Sequence, residues 1–379
     1  MSPTPVTFAS PGQPASYSWE ATDEEVAERF GLPIESIVRF DLNTSPAPPA
    51  LAEKLLAAGR FEAPLSEYPP SDYRRLVAAA ASTYGVEPSE LLVGAGADEI
   101  LDLIGKAFLP PGGEAVIPAP SYAMYRVVTE QRGARAVHVP RQAADEGWAI
   151  DVDAVRAAAR TAQVVWLCNP NNPTGLAEPP GSIEALLKGV ADDAQTDGRE
   201  APIVAIDEAY AEFTGETLLD ARHAHPNLVV IRTASKAYAL AGLRVGFAIA
   251  QPGTIARLAP YRPPGSVSTV SVTLVTEALL EPTAMRANVA RVAAERERLS
   301  RALSDAGWTV GPSVTNFLLV TFADQVAAAA AADALLRRGL VPRTFPAGHP
   351  LGNALRLTVR DAAEDDRLIA AAREFATQS

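Results

Sequence analysis

The sequence predicts an α/β fold with a large domain, in which a mostly parallel seven-stranded sheet lies between helices, and a smaller α+β domain. Two observations predict it. Short apolar segments rich in β-branched residues alternate with segments of helical spacing through the middle of the chain, as expected for parallel strands covered on both faces. The alternation ends at a Pro/Gly-rich segment, residues 260–265, beyond which the helices are longer and the strands fewer.

The apolar runs define the elements of the large domain. Its seven predicted strands cover residues 91–93, 115–117, 136–139, 164–168, 203–206, 228–231 and 245–250. Helical spacing predicts helices between them at 98–108, 122–130, 152–159 and 183–191. Because ligands of such sheets bind beyond the carboxyl ends of the strands, polar residues that directly follow a strand are the first candidates for function.

The smaller domain is predicted from the last third of the chain. Helices at 270–280 and 283–306 precede strands at 316–322 and 354–359, with an Ala-rich helix between the strands. N-terminal residues up to about Asp41 complete this domain. We therefore expect residues 1–45 to form an N-terminal arm and part of the small domain, 46–262 the large domain, and 263–379 the small C-terminal domain. The first 15 residues are rich in Pro, Ser, Thr and Gly and are expected to be an arm rather than core.

Composition and charge argue against several classes of protein. The 379 residues, 48% of them hydrophobic and 21% charged, suffice for two domains with a large core. The net charge of −12 argues against a nucleic-acid or anionic-membrane partner. No apolar run approaches the length of a membrane helix, about 20 residues, and residues 1–18 lack the pattern of a secretory signal. Cys168 is the only cysteine, so no intrachain disulfide can form and we expect a cytoplasmic protein.

A metal site is not expected. The four histidines and the single cysteine do not show the spacing of zinc ligands. His223 and His225 share a polar stretch before Pro226, which is typical of a solvated loop.

Three polar motifs follow predicted strands. Asn172 lies in the segment Asn-Pro-Asn-Asn-Pro-Thr-Gly at 169–175, and Asp207 begins Asp-Glu-Ala-Tyr. Lys236 follows Asp207 by 29 residues and precedes Arg244 by eight. Each residue alone has an ordinary explanation, because Asn-Pro clusters mark turns and most lysines are solvated. In this order, a lysine able to form a Schiff base, a strand-ending acid, a turn asparagine and an arginine together indicate a pyridoxal phosphate site.

These segments resemble those of fold-type I pyridoxal phosphate aminotransferases, and within that group most of all the histidinol-phosphate aminotransferases. The similarity runs from about Asn43 to Arg360. The resemblance implies that Lys236 is the catalytic residue, which holds the cofactor and then moves the proton of the substrate carbon. It also implies that Asp207 keeps the ring nitrogen of the cofactor protonated.

The resemblance implies further contacts to the cofactor ring. Asn172 and Tyr210 would hydrogen-bond the ring hydroxyl. Tyr122 stands at the position of the family's stacking aromatic and would lie on the ring face. Tyr125, three residues further on, is then expected to be a core residue.

A glycine-rich turn predicts the phosphate site. Residues 94–99, Gly-Ala-Gly-Ala-Asp-Glu, follow an apolar strand and open a helix, so the backbone N–H groups of Gly96, Ala97 and Asp98 can bind an anion. A dinucleotide-binding motif would need a third glycine where Glu99 stands. This difference disfavours a nicotinamide-dependent dehydrogenase.

By resemblance, Ser235 and Arg244 complete the phosphate site. Arg244 lies between two apolar residues, so we expect it to be buried in a strand, where a guanidinium needs an anion; a surface arginine is the alternative. Tyr68 matches a family tyrosine that reaches the phosphate of the neighbouring subunit, which implies a homodimer with active sites at the interface. A turn tyrosine before Pro-Pro is the alternative for Tyr68.

Substrate binding is assigned to Arg356, Arg343 and Asn43. Arg356 matches the carboxylate-binding arginine of the superfamily, and Arg343 is spaced like a second anion-binding arginine of histidinol-phosphate enzymes. Guanidinium groups bind carboxylate or phosphate through paired hydrogen bonds, so two arginines suit both histidinol phosphate and glutamate. A surface position is the alternative for Arg343. Asn43 begins Asn-Thr-Ser-Pro where the family shows Asn-Glu-Asn-Pro, a departure on the substrate side.

The expected reaction is transamination of L-histidinol phosphate with 2-oxoglutarate, which gives imidazole-acetol phosphate and L-glutamate in histidine biosynthesis. Two alternatives keep the cofactor: an aromatic amino-acid aminotransferase acting on phenylalanine, and a phosphothreonine-type decarboxylase. A noncatalytic binding protein is disfavoured because Lys236 and Asp207 are both present.

Overall fold

The computed structural model describes residues 16–378, without the side chain of Gln378. The arm expected at residues 1–15 lies outside the described residues. Within them the helices are α1 (Asp23–Phe30), α2 (Ala50–Ala58), α3 (Arg74–Tyr84), α4 (Gly96–Phe108), α5 (Met124–Gln131), α6 (Val152–Ala159), α7 (Ser182–Thr196), α8 (Pro252–Leu258), α9 (Thr269–Leu280), α10 (Thr283–Asp305), α11 (Gln325–Leu336) and α12 (Ala362–Gln378).

The strands form one large sheet and two small ones. They are β1 (Val38–Arg39), β2 (Leu91–Gly94), β3 (Glu114–Ala119), β4 (Arg135–Pro140), β5 (Val164–Cys168), β6 (Ile203–Asp207), β7 (Leu228–Thr233), β8 (Gly246–Ala250), β9 (Thr309–Val310), β10 (Phe317–Thr321), β11 (Leu340–Val341) and β12 (Ala354–Thr358). The large sheet has the order β2-β8-β7-β6-β5-β3-β4. Because β8 alone runs in the direction opposite to the other six strands, the expected seven-stranded, mostly parallel sheet is confirmed.

Helices cover both faces of the large sheet. Helices α3, α6, α7 and α9 pack on one face, and α4, α5 and α8 on the other. Along β5, Val165 and Leu167 belong to the first core, and Val164, Trp166 and Cys168 to the second. Every residue of β5 and β6 is buried, which explains their nearly continuous apolar sequence.

The strand ends bring the predicted motifs to one edge of this sheet. Cys168 at the end of β5 pairs with Asp207 at the end of β6. Thr233 at the end of β7 pairs with Gly246 at the start of β8, and so does Gly94 at the end of β2. The loops that follow β2, β5, β6 and β7 therefore meet where ligands of such sheets bind.

The smaller unit contains the antiparallel sheet β12-β10-β9 and the parallel pair β1-β11. Val38 and Phe40 are buried with side chains of α10, α11 and α12, so residues before Asp41 contribute to this unit. The expected boundary at residue 262 would place α9 here. Because α9 instead packs against α3 in the core of the large sheet, the proposed boundary moves from residue 262 to Leu280.

Most predicted elements lie within two residues of the observed ones, since apolar runs locate strands and helix faces well. The helix expected at 122–130 begins only at Met124. The helix expected at 183–191 continues to Thr196, because its last turn is mostly polar and apolar spacing does not mark it.

Two kinds of feature are absent from the described residues. No helix within residues 16–378 has the length and apolar character needed to cross a bilayer. The same residues contain no group of three or more His, Cys, Asp or Glu side chains arranged to hold a metal ion.

Candidate active site

A cavity of about 570 Å³ opens at the ligand-binding edge of the large sheet. Eleven predicted site residues line it: Asn43, Ala97, Asp98, Tyr122, Asn172, Asp207, Tyr210, Ser235, Lys236, Arg244 and Arg356. The fold thus assembles residues from both ends of the chain around one space.

Lys236 is half-buried at the cavity wall, and its amine donates hydrogen bonds to two backbone carbonyls, Leu42 O at 3.3 Å and Asn43 O at 3.2 Å. Burial lowers the pKa of Lys236 to about 8, and the nearby guanidinium groups of Arg356 and Arg244 act in the same direction. A large share of this amine is therefore neutral near pH 8. Only the neutral amine is a nucleophile or a proton acceptor.

Asp207 ends β6 and is buried. Its carboxylate accepts hydrogen bonds from the Tyr125 hydroxyl and from the backbone N–H of Ala209, both at 3.0 Å. Burial raises the pKa of Asp207 to about 6, while these two donors favour the ionised form. The carboxylate is therefore mostly ionised at neutral pH and can pair with a cationic group in the cavity.

Tyr125 is a site contact that the sequence did not predict. Its expected place in the core is confirmed, since the side chain is fully buried and its ring stacks on Trp166 with centroids 5.8 Å apart. Its hydroxyl, however, reaches Asp207, which is 82 positions away in the chain. Helical spacing shows which face of α5 is buried but not which strand end that face contacts.

Asn43 connects the lysine to the small sheet. Its backbone φ of 53° lies in the left-handed region, which asparagine tolerates better than most residues. Its Nδ2 donates to the Tyr210 hydroxyl at 3.0 Å, and its N–H donates to Thr358 Oγ1 at 2.9 Å. Asn43 is buried, so its contacts in this structure are to protein groups, including the Lys236 amine.

Arg356 projects from β12 and is buried. Its Nη1 donates to Asn172 Oδ1 at 2.6 Å, and its Nη2 donates to the backbone carbonyl of Asp41. Within residues 16–378 its buried Nε has no hydrogen-bond partner. A guanidinium with an unsatisfied N–H, taken out of water, is suited to bind an anion.

The start of α4 permits a close approach of backbone and guanidinium. A Cβ added to Gly246 would lie 2.5 Å from the carbonyl carbon of Gly96, and a Cβ added to Gly96 would lie 2.5 Å from Arg244 Nη2. At Gly246 the contact is with backbone, so that position requires glycine. At Gly96 the φ of 83° lies in the left-handed region, which favours glycine. A helix N-terminus attracts anions through its unpaired N–H groups, and Arg244 adds a positive charge beside it.

The prediction that Arg244 is buried in a strand is wrong. Arg244 follows a 3-10 turn, Ala241–Leu243, and has a φ of 51°, while β8 begins only at Gly246. The chain reverses here, so its apolar neighbours do not bury it as they would along a strand. Its side chain is 48% exposed, and Nη2 pairs with Asp98 Oδ2 at 2.9 Å.

Tyr122 and Ser235 both line the cavity. The Tyr122 hydroxyl donates to Asp98 Oδ1 at 3.1 Å. Ser235 is buried, and its Oγ accepts a hydrogen bond from Thr233 Oγ1 at 2.9 Å. Thr233 also lines the cavity, as does Cys168, and the sequence reasoning missed both. Their positions as last residues of β7 and β5 were the signal that could have found them.

A second cavity, of about 670 Å³, adjoins the first and shares Tyr17, Trp19, Tyr122, Asn172 and Arg356 with it. Arg343 lines only this second cavity. Its Nη1 donates to Ser18 O at 2.7 Å and lies 3.6 Å from Glu20 Oε1. Both predicted substrate arginines therefore border one space. No local pattern in the sequence links the segment 17–20 to residue 343, so the sequence did not predict that this segment lines the second cavity.

Tyr68 lines neither cavity of its own chain. Tyr68 is 88% exposed. Its expected role in a neighbouring subunit stays a prediction.

Known proteins similar in sequence point to one family. Residues 38–371 match the family described as aminotransferase class I and II. A histidinol-phosphate aminotransferase of Roseiflexus castenholzii is 38% identical over 365 residues, 93% of each chain. One from Stenotrophomonas maltophilia is 40% identical over 317 residues, 80% of this chain and 83% of the relative.

Solved structures agree with this result. Histidinol-phosphate aminotransferase from Sinorhizobium meliloti, in complex with pyridoxal-5'-phosphate, has a TM-score of 0.83 at 25% identity, covering 95% of this chain and 96% of that one. L-threonine-O-3-phosphate decarboxylase from Porphyromonas gingivalis has a TM-score of 0.74 at 24% identity, over 90% of this chain and 100% of that one, and shows the same fold. The chain belongs to the aminotransferase class I and II family, whose cofactor is pyridoxal phosphate.

Proposed function

We propose that this protein transfers the amino group of L-histidinol phosphate to 2-oxoglutarate, giving imidazole-acetol phosphate and L-glutamate. The observation that carries the proposal is the meeting of Lys236, Asp207 and Arg356 around one cavity, with the pKa of the lysine lowered to about 8. Relatives named histidinol-phosphate aminotransferase, at 35–40% identity over most of the chain, support this choice of substrate.

The residues present fit pyridoxal phosphate. The start of α4, kept accessible by Gly96 and Gly246 and bordered by Arg244, suits the phosphate group. Asp207 offers an anion for the ring nitrogen, and Tyr122 offers an aromatic face. Each of these groups would contact a different part of the cofactor.

The ring hydroxyl has two proposed partners. The Tyr210 hydroxyl, oriented by Asn43 Nδ2, is the first. Asn172 is the second, and because its Oδ1 accepts from Arg356, its amide N–H₂ is the group that would donate. Through this shared asparagine, the cofactor end of the site is linked to the proposed anion-binding arginine.

Two side chains of this protein act on protons in the proposed reaction, Lys236 at the substrate carbon and Asp207 at the ring nitrogen. When bound, pyridoxal phosphate withdraws electrons from the substrate's α-carbon and makes its proton acidic. Lys236 Nζ accepts that proton and returns it, since its lowered pKa lets both forms exist near pH 8. The Asp207 carboxylate holds a proton on the ring nitrogen, and the Tyr125 hydroxyl keeps that carboxylate ionised.

Arg356 is the proposed partner of the substrate's anionic group. In histidinol phosphate that group is the phosphate, and in glutamate it is a carboxylate; a guanidinium binds either through paired hydrogen bonds. Arg343 borders the same cavity and would add positive charge. For Asn43 we propose a positioning role, because its side chain is buried against Tyr210 and Thr358.

One alternative substrate class has support in the second cavity. Tyr17, Trp19 and Phe345 line that cavity, and aromatic walls accept the ring of phenylalanine as well as an imidazole. An aromatic amino-acid aminotransferase would use the same cofactor contacts, with Arg356 on the α-carboxylate.

We further propose that the protein is a cytoplasmic homodimer. The exposed Tyr68 supports the dimer, since it lies away from the cavities of its own chain and matches a residue that serves a partner's phosphate. A single cysteine, unable to form an intrachain disulfide, supports a reducing compartment.

A half-reaction screen tests the proposed function. Holoenzyme is mixed with one candidate amine at a time, without a 2-oxo acid, and the visible absorption of the cofactor is followed by stopped flow. Histidinol phosphate should change the cofactor absorption about tenfold faster than phenylalanine, as expected of a pocket that binds a phosphate group. Faster conversion by phenylalanine, or carbon dioxide release from phosphothreonine, would assign one of the alternatives instead.

A further inference from the structure

The chain itself fills an anion site at the edge of the second cavity. Glu20 Oε1 accepts hydrogen bonds from the backbone N–H of Thr344 at 2.8 Å and from its hydroxyl at 2.9 Å. The same oxygen lies 3.6 Å from Arg343 Nη1. A peptide N–H, a hydroxyl and a guanidinium converging on one carboxylate are the donors that also bind a free carboxylate or phosphate.

This site borders the space proposed for the substrate. Glu20, Arg343, Thr344 and Arg356 all line the second cavity, and Arg343 pairs with Arg356 as neighbours in a β-bridge. The side chains of Glu20 and Arg343 are 17% and 15% exposed. The contact is therefore only partly screened by water. A bound anion that extends from Arg356 towards Arg343 would meet the Glu20 carboxylate.

We propose that Glu20 is a specificity-determining residue, a tethered carboxylate that competes with the substrate's anionic group for Arg343 and Thr344. That Glu20 competes with histidinol phosphate in particular rests on the proposed function. The competition itself depends only on the geometry of the anion site. Ligands whose anionic group reaches Arg343 must displace Glu20, whereas ligands that use Arg356 alone leave it in place.

The contacts of Glu20 with Thr344 and Arg343 also hold residues 17–20 in place beside the second cavity. This structural role predicts a different effect on the substrates. Arg343 Nη1 donates to Ser18 O, and the Arg343 guanidinium lies over the Tyr17 ring at 5.2 Å from its centroid. If fastening were the only role of Glu20, its removal would affect all substrates alike, because Tyr17 and Trp19 line the cavity whatever the ligand's charge. Competition instead predicts an effect only on ligands with the additional anionic group.

Glu20→Gln tests the proposal, because a glutamine can still accept the Thr344 hydrogen bonds but carries no charge. Steady-state kcat/KM is measured for two pairs that differ in one anionic group: histidinol phosphate with histidinol, and 2-oxoglutarate with 2-oxobutyrate. In each pair the variant should improve the more anionic member by about three- to tenfold, the range for a partly buried charged contact. The other member should change by less than about twofold.

A binding measurement without turnover separates this inference from the proposed function. Holoenzyme is titrated calorimetrically with inorganic phosphate, and Glu20→Gln should bind it about three- to tenfold more tightly than wild type. This titration and the oxo-acid pair remain informative even if histidinol phosphate proves not to be a substrate. Glu20→Ala should also bind phosphate more tightly than wild type. This result would show that the effect comes from loss of the carboxylate and not from the glutamine side chain.

Glu28→Gln is the matched control, since Glu28 lies exposed on α1 and its change removes the same charge. It should leave both substrate pairs and phosphate binding at wild-type values. If Glu28→Gln improved kcat/KM and phosphate binding as much as Glu20→Gln does, the effect would be due to the change in net charge and not to the position of Glu20. Unchanged or weaker phosphate binding in Glu20→Gln, or an equal change in both members of each pair, would overturn the proposal and leave Glu20 as a fastening contact only.

Discussion

Lys236 differs from the other lysines of this chain, Lys54, Lys106 and Lys188, because it lines the cavity of the proposed site. Because burial lowers its pKa to about 8, its neutral form appears above that pH instead of near the ordinary lysine value of about 10.4. Reductive methylation of cofactor-free protein over a pH series, read by peptide mass analysis, should show Lys236 modified with a midpoint near 8. A midpoint near the ordinary value would contradict the assignment of this amine as nucleophile and base.

Asp207→Asn tests the proposed ion pair with the cofactor ring. An amide is close in shape to the carboxylate but carries no charge, so it cannot hold the ring nitrogen in its protonated form. We expect the variant to fold and bind cofactor, and to lose about 100-fold or more in kcat. Near-normal turnover with cofactor bound would show that this carboxylate has another role.

Tyr125→Phe removes the hydroxyl that donates to Asp207 and leaves the carboxylate in place. The hydrogen bond from Tyr125 favours the ionised carboxylate and so opposes the rise of its pKa to about 6. Without the hydroxyl the pKa of Asp207 should rise further. The carboxylate would then ionise only at higher pH, and the acid limb of the kcat profile should move to higher pH. An acid limb that stays in place, or moves to lower pH, would contradict the proposed effect of the Tyr125 hydroxyl on the ionisation of Asp207.

At the scale of elements, the contact between β8 and α4 sets the shape of the phosphate site. In Gly246→Ala the new Cβ would lie 2.5 Å from the Gly96 backbone, so β8 or the start of α4 must shift. Overpacking of this kind costs about 1–3 kcal/mol. If that cost falls on the cofactor-binding conformation, the dissociation constant for pyridoxal phosphate should rise by about five- to 100-fold.

Gly242→Ala is the control for this change. Gly242 lies in the turn before Arg244, and a Cβ there would meet no atom within 4 Å. Equilibrium dialysis of cofactor-free protein should give Gly242→Ala the wild-type affinity. Equal affinities for both variants would argue against the glycine contact as the basis of the phosphate site.

The strands and the motif-bearing loops could be predicted from local sequence because each depends on a short segment. Buried parallel strands such as β5 and β6 are apolar throughout, and a residue directly after such a strand lies at the ligand-binding edge. The exposure of Arg244 could not be predicted in this way, since it depends on the turn that precedes it. The contacts of Tyr125 with Asp207 and of Glu20 with Thr344 depend on tertiary packing.

At the scale of the whole molecule, the homodimer proposal makes a specific prediction. If Tyr68 serves the partner's phosphate, a heterodimer of Tyr68→Phe and Lys236→Ala protomers contains one site with neither lesion. Mixing the two variants should therefore produce more activity than either parent shows, in proportion to the heterodimer formed. Activity that never exceeds that of the Tyr68→Phe parent, despite proven subunit exchange, would count against an intersubunit site.

Substrate choice involves all three scales, because it depends on Arg356, on the second cavity and on residues 17–20, which line that cavity. The most direct measurement is steady-state kcat/KM for histidinol phosphate, histidinol and phenylalanine, each with 2-oxoglutarate. We predict that histidinol phosphate is the best donor, and that loss of its phosphate costs about ten- to 100-fold, the value of a charge-assisted contact. A higher kcat/KM for phenylalanine would contradict the proposed substrate and leave an aromatic amino-acid aminotransferase in its place.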